Sequence, residues 1–194
     1  MIAAVVLAAG LSSRMGQPKQ IMPWGSRPIV RQVCETLITA EVNEVVVVTG
    51  HAREKVEGAL VGCAAHTVFN PDYENGDMLR SFQIGLEAIL NSEAALFVLG
   101  DQPQMQVPVI KKVIAGWEKE KAKIVAPSFQ RRRGHPILFA REIWSDVFSA
   151  PRDTTPRDFL RAHAAWIHYV EVGTDSILRD VDTLDDYQRE SPPT

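Results

Sequence analysis

The sequence predicts an α/β fold with a mostly parallel sheet flanked by helices, and an irregular C-terminal part containing a β-hairpin. Two observations predict it. Residues 2–9 (IAAVVLAA), 44–49 (EVVVVT), 65–70 (AHTVFN) and 95–100 (ALFVLG) are short apolar runs, continuous rather than alternating. Such runs suit parallel strands covered on both faces. Helical stretches separate them, and strand–crossover–strand units repeated along a chain build a parallel sheet with right-handed connections.

The helices are predicted at about residues 28–40, 53–60, 78–90 and 108–121, from apolar periodicity and flanking breakers. The pattern changes after Lys121. Residues 123–129 (KIVAPSF) and 135–139 (HPILF) read as two strands joined by a basic turn at 130–134 (QRRRG). A short helix is expected from Arg141, another at 156–165, a late strand at 167–172 (IHYVEV) and a last helix at 184–189. The result is a Rossmann-like domain over residues 1–190, with a frayed tail at 191–194 and with the C-terminal part covering a site at the strand ends.

The 194 residues suffice for one substantial core, and an apolar fraction of 45% with 23% charged residues is ordinary for a soluble globular protein. A net charge of −3 argues against a broad nucleic-acid surface but permits a local cationic pocket. Cys34 and Cys63 are the only cysteines, which points to a reducing, cytoplasmic setting. The first apolar run lacks a basic leader and is too short to span a bilayer, so no membrane role is expected.

The first run leads into LAAGLSSRMGQPKQ, residues 7–20. A loop leaving a parallel strand for a helix presents backbone N–H groups to an anion, and small residues let phosphate approach. Gly10 and Gly16 give freedom, Ser12 and Ser13 offer donors, and Arg14 and Lys19 add positive charge. Neither the Walker A spacing nor GxGxxG is present. A carboxylate at Asp101, in the GDQP turn after the fourth run, falls on the same sheet edge, where Mg²⁺ would join carboxylate to phosphate. The acids of DVDTLDDY, residues 180–187, suit a helix start, with Asp182 or Thr183 as the cap.

The run from Leu7 to Lys19, L-A-A-G-x-S-x-R-M-G-x-x-K, resembles the signature of the MobA-like nucleotidyltransferases, especially the molybdenum cofactor cytidylyltransferases. Further motifs follow in the family's order: Asn70, Gly76 and Ser81, then GDxP, then GHP at Gly134, His135 and Pro136, then DxDT. The resemblance implies that Leu7, Ala8, Ala9, Gly10, Ser12 and Ser13 border a nucleotide, with Arg14 and Lys19 at its phosphates. It places Asn70, Gly76 and Ser81 at the nucleotide and Gly134, His135 and Pro136 at the acceptor. It also makes Asp101 a metal ligand, joined by Asp182 or Asp180, with Mg²⁺ as cofactor. Arg80 stands where the family has a serine and introduces a cation near the acceptor, and Leu184 replaces the usual proline. The cytidylyl members read L-A-A-G and the guanylyl members L-A-G-G, so Ala9 implies CTP. The implied reaction moves CMP from CTP to the phosphate of molybdopterin and releases pyrophosphate, with a molybdoenzyme or chaperone as recipient of the product. Guanylyl transfer, another phosphorylated acceptor and a non-catalytic nucleotide-binding module are the alternatives.

Overall fold

The computed structural model describes residues 1–12, 16–75 and 77–192. Strand β1 (Ile2–Ala8) is followed by a two-stranded hairpin, β2 (Pro23–Trp24) and β3 (Arg27–Pro28), then helix α1 (Ile29–Thr39). Next come β4 (Glu44–Thr49), α2 (Arg53–Ala59), β5 (His66–Phe69), α3 (Met78–Ala88), β6 (Ala94–Leu99) and α4 (Val107–Glu120). The C-terminal part contains β7 (Ile124–Phe129), β8 (Arg132–Arg133), β9 (Ile137–Ala140), α5 (Trp144–Ser149), α6 (Pro156–Ala162), β10 (Ile167–Glu171) and α7 (Leu184–Glu190).

The main sheet runs β10-β7-β9-β6-β1-β4-β5, with β8 pairing β7. β1 is central and parallel to both neighbours, so that Val5 lies opposite Val46 of β4 and Phe97 of β6. β9 runs antiparallel to β6 and β7, which leaves β7 pointing the same way as β6. The α/β fold with a mostly parallel sheet is as predicted.

The continuous apolar character of β1 has a direct cause. Ala4, Val6 and Ala8 pack on one face with Val30, Val33 and Leu37 of α1 and Ile110 and Val113 of α4. Ala3 and Val5 pack on the other with Phe82 and Leu86 of α3, Trp144 of α5 and Phe159 of α6. A central strand with helices on both sides has no solvent face to mark with polar residues.

Two features differ from expectation. The β2–β3 hairpin gives no periodic signal, because each strand is two residues long. The basic segment 130–134 is not all turn. Only Gln130 and Arg131 form the bend, both in the left-handed region at φ 48° and 64°, while Arg132 and Arg133 already pair with Phe129 and Ser128. At the C-terminus, the Ser191 N–H donates to Tyr187 O (2.9 Å), and Pro192 lies against Gly25. The rest of the tail expected at 191–194 lies outside the described residues.

α3 crosses β1 closely because residue 85 is glycine. A methyl there would run into Val5 Cγ1 and come within 3.1 Å of Val48 Cγ2, both in fully buried side chains. Alanine would favour the helix by about 1 kcal/mol, but overpacking a closed core costs about 1–3 kcal/mol. Gly85→Ala is therefore expected to lower stability, read as a fall in the urea midpoint.

Candidate active site

The carboxyl ends of β1, β4, β5 and β6 share one edge, and a cavity of about 480 Å³ opens there. The first loop contributes Ala9, Gly10, Leu11, Ser12, Lys19 and Gln20. The start of α3 adds Asp77, Met78 and Ser81, and the turn after β6 adds Asp101. Asp180 and Asp182 close the cavity from the C-terminal side.

The loop is tied from within. Ser12, at φ 51°, accepts a hydrogen bond from the Lys19 backbone N–H (3.2 Å) and donates its hydroxyl to Gln20 Oε1 (3.3 Å). Lys19 opens a 3₁₀ turn, Lys19–Ile21, closed by the Met22 N–H on Lys19 O (3.1 Å). The backbone of Lys19 is thus fixed while its side chain reaches across the cavity. Its ammonium pairs with Asp101 Oδ2 and, at 2.9 Å, with Asp182 Oδ1. The three side chains are 14%, 19% and 36% exposed, respectively. Burial disfavours the lysine charge, but Asp101 and Asp182 together outweigh it and hold its pKa above the ordinary value.

Asp180 is positioned differently. Gln102 Nε2 donates to its Oδ1 (2.5 Å), and the Gln104 side chain donates to Arg179 O (2.7 Å). The Val181 N–H donates to Asp101 O (3.1 Å). Burial raises the Asp180 pKa; the Gln102 bond counters it, and the charges of Asp101 and Asp182 add to the rise. Thr183, the second of the two expected caps, is the N-cap of α7. Its Oγ accepts from the Asp186 N–H (3.1 Å), while Asp186 Oδ2 accepts from the Thr183 N–H (3.0 Å). That leaves Asp182 to face Lys19.

Of the residues singled out in the sequence, Leu7, Ala9, Gly10, Ser12, Lys19, Ser81, Asp101, Asp180 and Asp182 line this cavity. Ala8 points into the core instead. Asn70 is buried behind the wall, where its Nδ2 donates to Ser81 Oγ (3.0 Å) and its Oδ1 accepts from the Asp72 N–H (2.8 Å). Asn70 therefore positions the segment that carries Ser81. Ser13, Arg14 and Gly76 lie outside the described residues. Arg80 lies beside a second cavity of about 400 Å³, with Phe148 and Arg152, and pairs with Asp72 at 3.4 Å. Asp77 borders both cavities.

The Gly134-His135-Pro136 segment is a two-residue bulge. Ser128 opposes Arg133 and Val125 opposes Leu138, so two residues of β7 face four of the returning chain. A side chain on Gly134 would collide with Ile177 O, the carbonyl that accepts from the His135 N–H (3.1 Å). The imidazole lies against Phe97, with ring centroids 5.5 Å apart, and its buried Nδ1 has no hydrogen-bond partner among the described residues. His135 is not part of the first cavity's lining.

Sequence reasoning missed Gln20, Asp77, Gln102 and Gln104. Gln20 and Gln102 are buried polar residues, and buried amides need partners. Their sequence signal is only a polar residue beside a charged one.

Two Asp residues and a half-buried lysine thus stand together at the mouth of a strand-end cavity. Among the described residues, no three or more His, Cys, Asp and Glu side chains form a metal-holding group by themselves. Mg²⁺ sites commonly use one or two carboxylates and take their other ligands from substrate phosphates and water, a donor set that Asp101 and Asp182 fit. The profile of the MobA-like NTP transferase domain matches residues 4–166, and the chain belongs to that family. It is 28% identical to the molybdenum cofactor cytidylyltransferase of Escherichia coli K12, covering 96% of this chain and 93% of that one. It is also 28% identical to nicotine blue oxidoreductase of Paenarthrobacter nicotinovorans, covering 97% and 95%. In fold it matches Rv0371c of Mycobacterium tuberculosis H37Rv, with a TM-score of 0.85 at 24% identity over 97% of this chain and 96% of that one. No helix among the described residues is long and apolar enough to cross a membrane.

Burial, reinforced by the nearby Arg133 charge and opposed by a bond to the Phe97 backbone, lowers the His135 pKa to about 4. The unfolded chain, with histidine near 6.5, binds the extra proton between those values. Stability should therefore rise with pH from about 4 to about 6.5 and level off above. His135→Gln is expected to flatten that slope, measured as urea midpoints from pH 4.5 to 7.5.

Proposed function

We propose that the protein transfers CMP from CTP to the phosphate of a molybdopterin-type acceptor and releases pyrophosphate. The observation that carries this reading is the Asp101–Lys19–Asp182 cluster beside the Ala9–Gly10 loop. It joins a mobile cation for phosphate to carboxylates for a metal, within a cavity that also has small residues for the nucleotide. The likeness to the E. coli cytidylyltransferase over nearly the whole chain supports the choice of nucleotide and acceptor.

In this reading Ser12 and the loop backbone receive the triphosphate, with Lys19 and Arg14 offsetting charge on the departing pyrophosphate. The acceptor phosphate attacks the α-phosphorus in line, the bond to the β-phosphate bridging oxygen breaks, and pyrophosphate leaves. Such a nucleophile is already anionic and needs no strong base, so positioning and charge compensation supply most of the acceleration. Asp101 and Asp182 would hold Mg²⁺, which when bound draws the two anions together. Asp180, held by Gln102, lines the same cavity as the alternative second carboxylate for the metal. Ala9 lines the cavity wall, and its methyl crowds a purine more than a pyrimidine. A cytoplasmic setting and delivery to a molybdoenzyme or chaperone follow from the same reading.

The equally similar Paenarthrobacter protein is named an oxidoreductase, so redox activity is the second reading. The charge arrangement favours transfer, since hydride chemistry has no use for a lysine between two carboxylates at a phosphate loop.

The deciding assay mixes purified protein, Mg²⁺ and molybdenum cofactor with CTP, GTP, ATP or UTP separately, and measures both pyrophosphate and pterin dinucleotide. Cytosine dinucleotide from CTP predominantly is expected. Guanine product would move the protein to guanylyl transfer, and no product alongside NAD(P)H-dependent turnover would favour the redox reading. Asp101→Asn should lower turnover by at least about 10² with an unchanged circular dichroism spectrum. Ala9→Gly should shift the CTP-to-GTP ratio of kcat/KM toward GTP.

A further inference from the structure

Cys34 and Cys63, the only cysteines of the chain, are far apart in sequence and meet where α1 packs against the turn after α2. Both thiols are free, and they share a hydrogen bond. Cys34 is fully buried on the inner face of α1, beside Val30, Val33 and Leu37. Cys63 is half-buried at the surface, between exposed Gly62 and Ala64. The contact is held from α1. Arg31, one turn before Cys34, donates from Nη1 to Val61 O (2.9 Å) and from Nε to Glu35 Oε1 (2.7 Å). The turn itself is tied by the Cys63 N–H on Leu60 O (2.8 Å) and the Ala65 N–H on Cys63 O (2.8 Å).

The two sulfurs are unlike. Donation from Cys34 favours a thiolate on Cys63 and lowers its pKa; partial burial and the Glu35 charge oppose this, and Arg31 supports it. The same bond, together with burial and the charges of Cys63 and Glu35, pushes the Cys34 thiol up. One sulfur is accessible and readily ionised, while its neighbour is buried and keeps its proton. A thiol pair that reduces a peroxide needs that division: an exposed thiolate to attack and an adjacent thiol to resolve. Bringing hydrogen-bonded sulfurs to the roughly 2 Å of a disulfide takes a shift of the surface turn. Gly62, at φ 78°, has nothing within 4 Å of where a side chain would stand, so the turn has room to move.

We propose that Cys34 and Cys63 form a hydroperoxide-reactive dithiol, in which Cys63 is oxidised first and Cys34 resolves it to an intramolecular disulfide. The Cys63 thiolate, its proton already lost to water, attacks one oxygen of the peroxide. A sulfur–oxygen bond forms, the oxygen–oxygen bond breaks, and the departing hydroxide takes a proton from water. Sulfur is thereby oxidised to a sulfenic acid and the peroxide oxygen reduced. The Cys34 sulfur then attacks the Cys63 sulfur, and the sulfur–oxygen bond breaks. Its hydroxide accepts the Cys34 proton and leaves as water. Two thiols and one hydrogen peroxide have become one disulfide and two waters. In a reducing setting such a bond is transient and is reopened by thiols. Neither cysteine lines either cavity, so this chemistry is independent of the nucleotidyl transfer proposed above.

The test treats the reduced full-length protein with hydrogen peroxide, stops the reaction by alkylation in denaturant, and maps the peptides by mass spectrometry. Wild type should lose both free thiols together and yield a linked Cys34–Cys63 peptide that dithiothreitol reopens. Cys34→Ala should instead accumulate a sulfenic acid on Cys63, trapped with dimedone. Cys63→Ser should slow thiol loss at least about tenfold, because a buried thiol is inert. Survival of both thiols, disulfides formed only between two copies, or an unchanged rate in a folded Cys63→Ser would each overturn the proposal. A second measurement needs no variant. Limiting iodoacetamide on the folded wild type should label Cys63 at least about tenfold faster than Cys34. Equal labelling, or Cys34 labelled first, would overturn it as well.

Discussion

The cavity depends on one docking contact, between the turn after β6 and the returning chain at residues 179–182. Val181 is fully buried against Met22, Trp24 and Ile29, and its N–H is taken by Asp101 O. Gln102 and Gln104 grip the two residues before it, Asp180 and Arg179. Burying a valine contributes about 1.5–3 kcal/mol, enough to hold a short irregular segment in place. The carboxylates at 180 and 182, spaced two apart, are then presented to the same edge from which Asp101 projects. Without that contact Lys19 would face a single carboxylate.

The small β2–β3 hairpin supports this contact from the other side. Its Trp24 ring meets Tyr187 edge-on at 6.3 Å, and the Tyr187 hydroxyl donates to Pro23 O (2.5 Å). The last helix is therefore clamped to a hairpin that follows the first loop. The loop carrying Lys19 thus shares a scaffold with the segment carrying Asp182.

Much of this was legible in the sequence, and the physical reason is periodicity. Four long apolar runs and the helices between them carry strong signals, since a strand buried on both faces can only be apolar. The loop residues were legible because small residues, a lysine and a strand end together are uncommon. The hairpin was not, because four strand residues hold no period. Nor was the difference between Asn70 and Ser81. Both are polar residues near one turn, yet one is buried and positions the other. The roles of Gln102 and Gln104 depend on which segment docks on them, and a contact spanning some 75 to 80 residues leaves no local trace. His135 was legible as a motif but not as a neutral ring lying on Phe97.

The bulge at 134–136 bears on how this chain can change length. Two inserted residues are an even number, so the alternation of the pleat carries through from β8 to β9. Ile137 and Phe139 keep to the face shared with α3 and α5, while Leu138 keeps to the face shared with α1 and α4. Inserting or deleting one residue would reverse that parity and turn Phe139 away from Phe82 and Phe97. Gains or losses of two would preserve it. Relatives of this chain should therefore vary in this segment by even steps, a constraint of arithmetic on the strand rather than of chemistry at the site.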